Sequence, residues 1–417
     1  MNLLLGGIMT NEVKKKDKNL EGEIHLPASK SISNRVLIIR ALCNEYFNIN
    51  NISESDDSKI LNKILNSNDN YFDVGHAGTA MRFLTAYLAR IVGEWTLTGS
   101  ERMKQRPVGP LVDALIELGA DIKYLENVGC PPIRILGKNL SKSKIIIDAG
   151  ISSQFISALL LIAPTLPHGL ELSLKNNISS LPYIDMTLSL MSYFGVSSKW
   201  NGKTIIIEPQ EYKGRDYEVE SDWSAAAFWY SKVFLSKNAD LLINGLKKNS
   251  IQGDSEIVEI YKQLGVNSEF IDNGLKLTKI EKIPDSFHYD LGDFPDLAQS
   301  LIVALTFKHV PFRITGLKSL HIKETDRILA LKKELGKFGF VIEETSNGVL
   351  EWHGEISQES TMPGAFEVET YNDHRMAMAF APIAMVRHRV IINNPSVVSK
   401  SYPEYWNELN TIGFEIK

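Results

Sequence analysis

Apolar residues fall on one helical face at Leu111, Val112, Leu115 and Leu118, and the pattern stops at Gly119 before the strand-like Ala120–Tyr124. An amphipathic helix closed by glycine and followed by a short strand recurs at Gly195, Gly265, Gly339 and Gly413. These five glycines are 76, 70, 74 and 74 residues apart. Glycine is common one residue past a helix, because it enters the left-handed conformation there without strain. Near-constant spacing is a different matter and marks a repeat. Upstream of each glycine the order is strand, polar loop, helix, the loops being Ser100–Pro107, Asn177–Tyr183, Lys248–Asp254, Lys318–Asp326 and Pro395–Pro403. A degenerate copy, Asn48–Asp57 followed by a helix through Leu61 and Leu65, brings the count to six units of about 70 residues. Units so small cannot bury a face alone and must pack together.

The polar, charged stretch Pro209–Glu220 lies near mid-chain and is the best domain boundary, with three units on each side. Two similar domains facing each other leave a cleft, a common place for a ligand. A continuous solenoid is the alternative, but the units lack its short uniform period. The length of 417 residues independently suggests two to three domains. With 44% hydrophobic and 23% charged residues, the chain is neither largely disordered nor collagen-like.

Charge narrows the range of partners. Against 45 Lys and Arg stand 50 Asp and Glu, a net of −5 that excludes a broad surface for nucleic acid or anionic membrane. Any anion site must therefore be local. Cys43 and Cys130 stand far apart with no Cys-x-x-Cys, so neither a disulfide framework nor a zinc cluster is indicated. The apolar runs Phe155–Leu166 and Met376–Val386 are both interrupted by Pro and shorter than the roughly 18 residues of a membrane span. The apolar start, Met1 to Met9, has no basic residue before it and does not read as a signal peptide. A cytoplasmic protein is expected. Whether residues 1–20, with Lys14–Lys16, are ordered stays open, since charged extensions are commonly mobile.

Candidate chemistry concentrates at loop-to-helix junctions. Leu26–Arg35 carries Ser29, Lys30, Ser31, Ser33 and Arg35 into a helix whose apolar face is Val36, Ile39, Leu42 and Cys43. It reads either as an anion site at a helix N-terminus or as an N-cap with solvated charges. Gly75–Arg82 places Gly78 at a helix entry, and Arg102–Pro107 holds three cations in five residues before another helix. Gly150–Phe155 offers Ser152, Ser153 and Gln154, suited to a polyol. Lys323–Arg327 is read as the start of a helix, with Lys323 and Arg327 on one face and Glu324 beside them. In Asn372–Met378 polar residues lead straight into an apolar run, so Arg375 needs a partner, either Asp373 or a bound anion. Asp296 precedes an apolar helix through Ile302 and Leu305, and Lys400 lies in the last loop.

Together these motifs resemble the enolpyruvyl transferase family, specifically its branch acting on shikimate 3-phosphate, across Leu26–Leu409. The resemblance implies an α/β fold of two similar domains, each of three βαβαββ-like repeats about a pseudo-threefold axis, with an interdomain active-site cleft. The domains would be 28–220 and 1–27 plus 221–417. The implied reaction joins phosphoenolpyruvate to the 5-hydroxyl of shikimate 3-phosphate and releases inorganic phosphate, with no metal or organic cofactor. A monomer is expected, with no nucleic-acid or membrane partner.

The substrates together carry roughly −6. The matching cations are Lys30, Arg35, Arg106, Lys323, Arg327, Arg375 and Lys400. By the same resemblance, phosphoenolpyruvate meets Lys30, Gly78, Arg106, Gln154, Arg327, Arg375 and Lys400. Shikimate 3-phosphate meets Lys30, Ser31, Arg35, Ser152, Ser153, Gln154, Tyr183, Asp296, Ser319 and Lys323. Asp296 looks like the base for the 5-hydroxyl. Glu324, kept protonated by burial, looks like the acid for the methylene carbon, with Lys30 or Lys400 assisting. The chain departs from the family pattern at His76, often Asn; at Phe83, often Pro; and at Ser319, often Asn. By the same resemblance, glycine at Gly78 leaves the phosphoenolpyruvate pocket open and implies inhibition by glyphosate, with Phe83 the departure that opposes it.

Two rival readings remain. The sister activity, transfer to UDP-N-acetylglucosamine, uses a Cys near the Arg-Pro motif, and Ser100–Pro107 contains none. Cys43 reads as a core residue. A non-catalytic phospho-ligand binding protein would need the cations but not Asp296 and Glu324.

Overall fold

The computed structural model describes residues 3–5, 8–150, 152–272, 274–357 and 366–417. Ile151, inside the Gly150–Phe155 segment, and Met1, Asn2, Gly6 and Gly7 of the apolar start lie outside the described residues. The chain divides into two compact units, residues 28–219 and residues 1–27 with 220–417.

Among the described residues six sheets carry the six repeats, and five share one plan. In the 28–219 unit, Tyr71–Asp73 runs parallel to Gly93–Thr98 across the helix Gly78–Arg90, and Ile133–Gly137 and Asp121–Tyr124 add antiparallel strands. Lys144–Asp148 and Leu170–Lys175 repeat this across Ser153–Ile162, followed by Thr204–Ile207 and Lys199–Asn201. The degenerate copy is reduced to two strands, Ile49–Asn50 and Tyr217–Glu218. Its helix ends at Asn66 without a left-handed glycine.

The other unit is closed by both ends of the chain. Phe287–Asp290 and Phe312–Thr315 flank the helix Ala298–Phe307 within one stretch of sequence. By contrast, Asn19–His25 pairs in parallel with Asn238–Asn244, and Ile8–Lys14 pairs antiparallel with Arg389–Asn393. The Lys14–Lys16 run is therefore no loose tail. Lys14 pairs with Glu12, Lys15 with Asp17 and Lys16 with Glu415.

All five repeat glycines have positive φ, between 77° and 109°. Four are followed by a bond closing the last turn: Ala120 to Leu115, Val196 to Met191, Phe340 to Leu335 and Phe414 to Leu409. These satisfy carbonyls the helix cannot reach and turn the chain into the next strand.

The helix between the parallel strands is the core of each repeat. Ala298–Phe307 is buried at every position, and Ser153–Ile162 at every position but Gln154. A helix apolar on all sides belongs in an interior, which is where the two runs too short to span a membrane go. Among the described residues no helix is long and apolar enough to cross a membrane. Because these helices are enclosed along their length, their N-terminal ends are where polar residues can stand.

Candidate active site

In the 28–219 unit the predicted residues sit in or just before the first turns of five helices. Ser29 caps Lys30–Leu42 through Ile32 N–H, and Ser152 caps Ser153–Ile162 through Gln154 N–H. Lys30 pairs with buried Asp57 at 3.7 Å, a partner the sequence reading did not single out; Asp57 stands in the first turn of the next helix, where acidic residues are ordinary. Arg35 is 2% exposed. Its guanidinium donates to Ser31 O at 2.9 Å, Thr187 Oγ1 at 2.8 Å, Ser157 Oγ at 3.0 Å and Tyr183 O at 3.3 Å. Burial pulls its pKa down to about 10. Arg35 thus fixes two other predicted residues, Ser31 and Tyr183. The unusual Phe83 lies under this guanidinium at 5.5 Å, a cation–π support.

The charge run before Pro107 splits by direction. Lys104 turns to Glu101 and Glu126, Arg102 bonds Gln105, and Arg106 alone of the three is buried. Arg106 passes beside Gly78, where an added Cβ would come within 2.7 Å of Arg106 Nη1 and 2.9 Å of Arg82 Nη1. Arg82, another residue missed, donates to Gly78 O and Pro107 O, each at 3.0 Å, tying the two segments together. Gln154 reaches Thr79, next to Gly78, at 3.4 Å. His76 bonds Ser100 at 3.0 Å.

In the other unit, six predicted residues converge on one network. Arg327 is 1% exposed and serves three carboxylates: Asp373 at 2.7 Å from Nε, Asp296 at 3.0 Å from Nη1 and Glu324 at 3.0 Å from Nη2. Arg375 Nη2 lies 3.1 Å from Asp296 Oδ2 and its Nη1 donates to Asp296 O at 2.8 Å. Lys323 reaches Asp296 at 3.5 Å, and Lys400 donates to Glu324 Oε1 at 2.6 Å.

Two sequence expectations change here. The partner of Arg375 is Asp296, while Asp373 caps the helix His374–Phe380 through Arg375 N–H and binds Arg327. Lys323 and Glu324 are not on a helix, which starts at Arg327 with Asp326 as its cap. A turn, not an i,i+4 face, brings them in. Ser319 stands apart, its buried hydroxyl without a hydrogen-bond partner among the described residues.

The electrostatics follow from this packing. Burial would raise the Asp296 carboxyl, but Arg375, Lys323 and Arg327 outweigh it and hold the group well below the usual carboxylate range. Lys323 is pushed down by burial, with Asp296 opposing and Arg327 adding to the effect. Glu324 shares its two oxygens between Lys400 and Arg327. A further missed residue is Asp254, buried and bonded by Ser224. Burial and then the charge of Asp296 raise it to about 6.

His321, two residues before Lys323, bridges Asp326 at 2.9 Å and Glu344 at 3.0 Å. Burial lowers its proton affinity, but the two carboxylates prevail and raise it above the ordinary value. Its stabilising contribution is complete below the unfolded value of about 6.5 and is lost as pH rises through the folded one. Urea midpoints should therefore fall between about pH 6 and 8 in the wild type, and His321→Gln should flatten that decline. An equally steep decline in the variant would contradict this reading.

A family model described as EPSP synthase (3-phosphoshikimate 1-carboxyvinyltransferase) matches residues 14–67 and 60–409. A 3-phosphoshikimate 1-carboxyvinyltransferase of Bacteroides fragilis (strain YCH46) is 48% identical over 399 residues, covering 95% of this chain and 97% of that protein. One from Colwellia psychrerythraea is 36% identical over 422 residues, covering 94% of this chain and 96% of that one. Among solved structures, EPSP synthase from Acinetobacter baumannii superposes with a TM-score of 0.76 at 21% identity, covering 98% and 99% of the two chains. That likeness bears out the α/β fold.

Proposed function

The chain belongs to the EPSP synthase (3-phosphoshikimate 1-carboxyvinyltransferase) family, and on that premise we propose how its residues divide the work of the reaction. The protein is a transferase of the shikimate pathway, moving the enolpyruvyl group of phosphoenolpyruvate to the 5-hydroxyl of shikimate 3-phosphate with release of inorganic phosphate. The observation that carries the residue assignment is Asp296: a carboxylate kept ionised by Arg375, Lys323 and Arg327, one residue pair away from Glu324. An anion so stabilised is a weak base at rest. It gains strength when the cations turn toward the phosphate and carboxylate groups of the substrates.

Asp296 takes the proton of the 5-hydroxyl as its oxygen bonds to the enol carbon. The methylene carbon receives a proton from Glu324, which Lys400 supplies across their 2.6 Å contact. In the second half, Glu324 takes a proton back from the new methyl group as the carbon–oxygen bond to phosphate breaks, and the proton held on Asp296 leaves with the phosphate. Arg327, Arg375 and Lys400 hold phosphoenolpyruvate, and Lys323 with Asp296 holds shikimate 3-phosphate. Within the 28–219 unit, Lys30, Gly78, Arg106 and Gln154 serve phosphoenolpyruvate, while Lys30, Ser31, Arg35, Ser152, Ser153, Gln154 and Tyr183 serve shikimate 3-phosphate. The cations neutralise charge that moves during the reaction, the largest single contribution such a site can make.

Phosphate release from phosphoenolpyruvate tests this directly, measured with shikimate 3-phosphate, with UDP-N-acetylglucosamine and with no acceptor. Release only with shikimate 3-phosphate is expected. Release with the nucleotide sugar would point to the sister activity.

Gly78→Ala puts a methyl group against Arg106 and Arg82, and guanidinium displacement is the only relief. The KM for phosphoenolpyruvate should rise about tenfold, the worth of roughly 1.4 kcal/mol, with kcat changed less. An unchanged KM would remove Arg106 from the binding site. The same open ground supports glyphosate inhibition in the wild type, read as a Ki near the KM for phosphoenolpyruvate; a far larger Ki would refute it.

A further inference from the structure

Immediately before Asp373 the backbone does something costly. Tyr371 has φ 53° and Asn372 φ 56°, two successive non-glycine residues in the left-handed region. A bulky side chain there is a genuine outlier, and such conformations persist only where surrounding structure over-determines them. The surroundings are built for it. Glu334 is 0% exposed. Its Oε1 accepts from the Tyr371 hydroxyl at 2.6 Å, and its Oε2 accepts from Glu369 N–H at 3.1 Å and Lys337 Nζ at 2.6 Å. On the other side, Asn394 Nδ2 donates to Asn372 Oδ1 at 2.8 Å, and Asn394 opens the turn Pro395–Lys400.

Glu334 lies on the helix Arg327–Lys337, two turns beyond Arg327. That one helix therefore grips the Asp373 segment twice, through Arg327 on Asp373 and through Glu334 on Tyr371. The Asn372–Asn394 bond links the same turn to the segment ending in Lys400. We propose that Glu334 and Tyr371 are positioning residues for the reaction. By holding the left-handed Tyr371–Asn372 turn, they set Asp373, Arg375 and Lys400 in register with Arg327. A buried carboxylate that must be matched by three donors is expensive to keep, and core packing alone would be served as well by an apolar residue. Its retention fits a role in placing the cations assigned to phosphoenolpyruvate, and the inference rests on that assignment.

Tyr371→Phe removes only the hydroxyl. The expected result is a KM for phosphoenolpyruvate raised about tenfold, the KM for shikimate 3-phosphate unchanged within twofold, and a urea midpoint showing the protein folded under assay conditions. Tyr371→Ala and Tyr371→Gly both lose the bond to Glu334, but glycine enters the left-handed region freely and alanine does not. The glycine variant should thus be several-fold more active than the alanine variant, the reverse of their order at an ordinary position. Kinetic constants of Tyr371→Phe within twofold of wild type, or an alanine variant at least as active as the glycine one, would overturn the inference. Failure of the wild-type protein to release phosphate with shikimate 3-phosphate would instead overturn the functional reading beneath it.

Discussion

Replacing Asp296 by Asn should lower kcat by about 10²–10⁴-fold, the usual worth of a positioned acid or base, with shikimate 3-phosphate still bound. Asparagine keeps the shape of the side chain and its carbonyl oxygen can still accept from Arg327, while Arg375 and Lys323 lose the charge of their carboxylate, so the binding titration separates lost proton transfer from lost placement. The variant also removes a stability effect. Because the folded Asp296 carboxyl sits well below its ordinary range, it contributes stability that is present above about pH 3.9 and lost as pH falls through the folded value. Asp296→Asn should therefore show a shallower loss of stability in acid than the wild type. Steady-state kinetics, a binding titration and urea melts at two acidic pH values check both parts. Turnover within tenfold of wild type would dismiss Asp296 as the base.

Arg327→Met should destabilise the protein by about 3–5 kcal/mol, the cost of breaking a buried ion pair from one side. The single guanidinium serves Asp373, Asp296 and Glu324; without it Asp296 keeps Arg375 and Lys323 and Glu324 keeps Lys400, but the three carboxylates lose the cation they share and buried Asp373 loses its guanidinium partner. Like charges so close repel, and their desolvation is less fully offset. Arg327→Lys keeps the charge but cannot span three acceptors with one ammonium, and should fall between the wild type and the methionine variant. Urea midpoints at neutral pH measure the series. Activity should be lost in both variants, because Asp296, Glu324 and Asp373 are all placed by this one side chain. A methionine variant as stable as wild type would show the network is not a folding element.

Much of the fold was legible because its signals are local. A helix ending at a glycine with positive φ is decided within about five residues, and such endings at Gly119, Gly195, Gly265, Gly339 and Gly413 report the repeat whatever packs around them. The candidate site was legible for a related reason. A helix buried along its length, such as Ala298–Phe307, leaves polar residues only at its entry, so clusters at loop-to-helix junctions stand out in the chain. The partners within the site were not legible. Arg375 was expected to meet either Asp373, two residues away, or a bound anion, yet its carboxylate is Asp296, 79 residues away. Lys323 and Glu324 seemed to begin a helix and instead lie in a turn before it. The side chains that hold the Arg35 guanidinium, Thr187 and Ser157, lie 152 and 122 residues along the chain and carry no charge to mark them.

By itself, then, the sequence determined the repeat, the element types and the residues that carry charge to helix entries, since periodicity, capping and glycine stereochemistry act over a few residues. Only the tertiary structure decided which charges meet. It paired Asn19–His25 with Asn238–Asn244, folded the first strands of the chain against its last, and chose Asp296 over Asp373 for Arg375. Such pairings are set by where enclosed helices come to rest against one another, a collective result of burying apolar surface that no local pattern specifies.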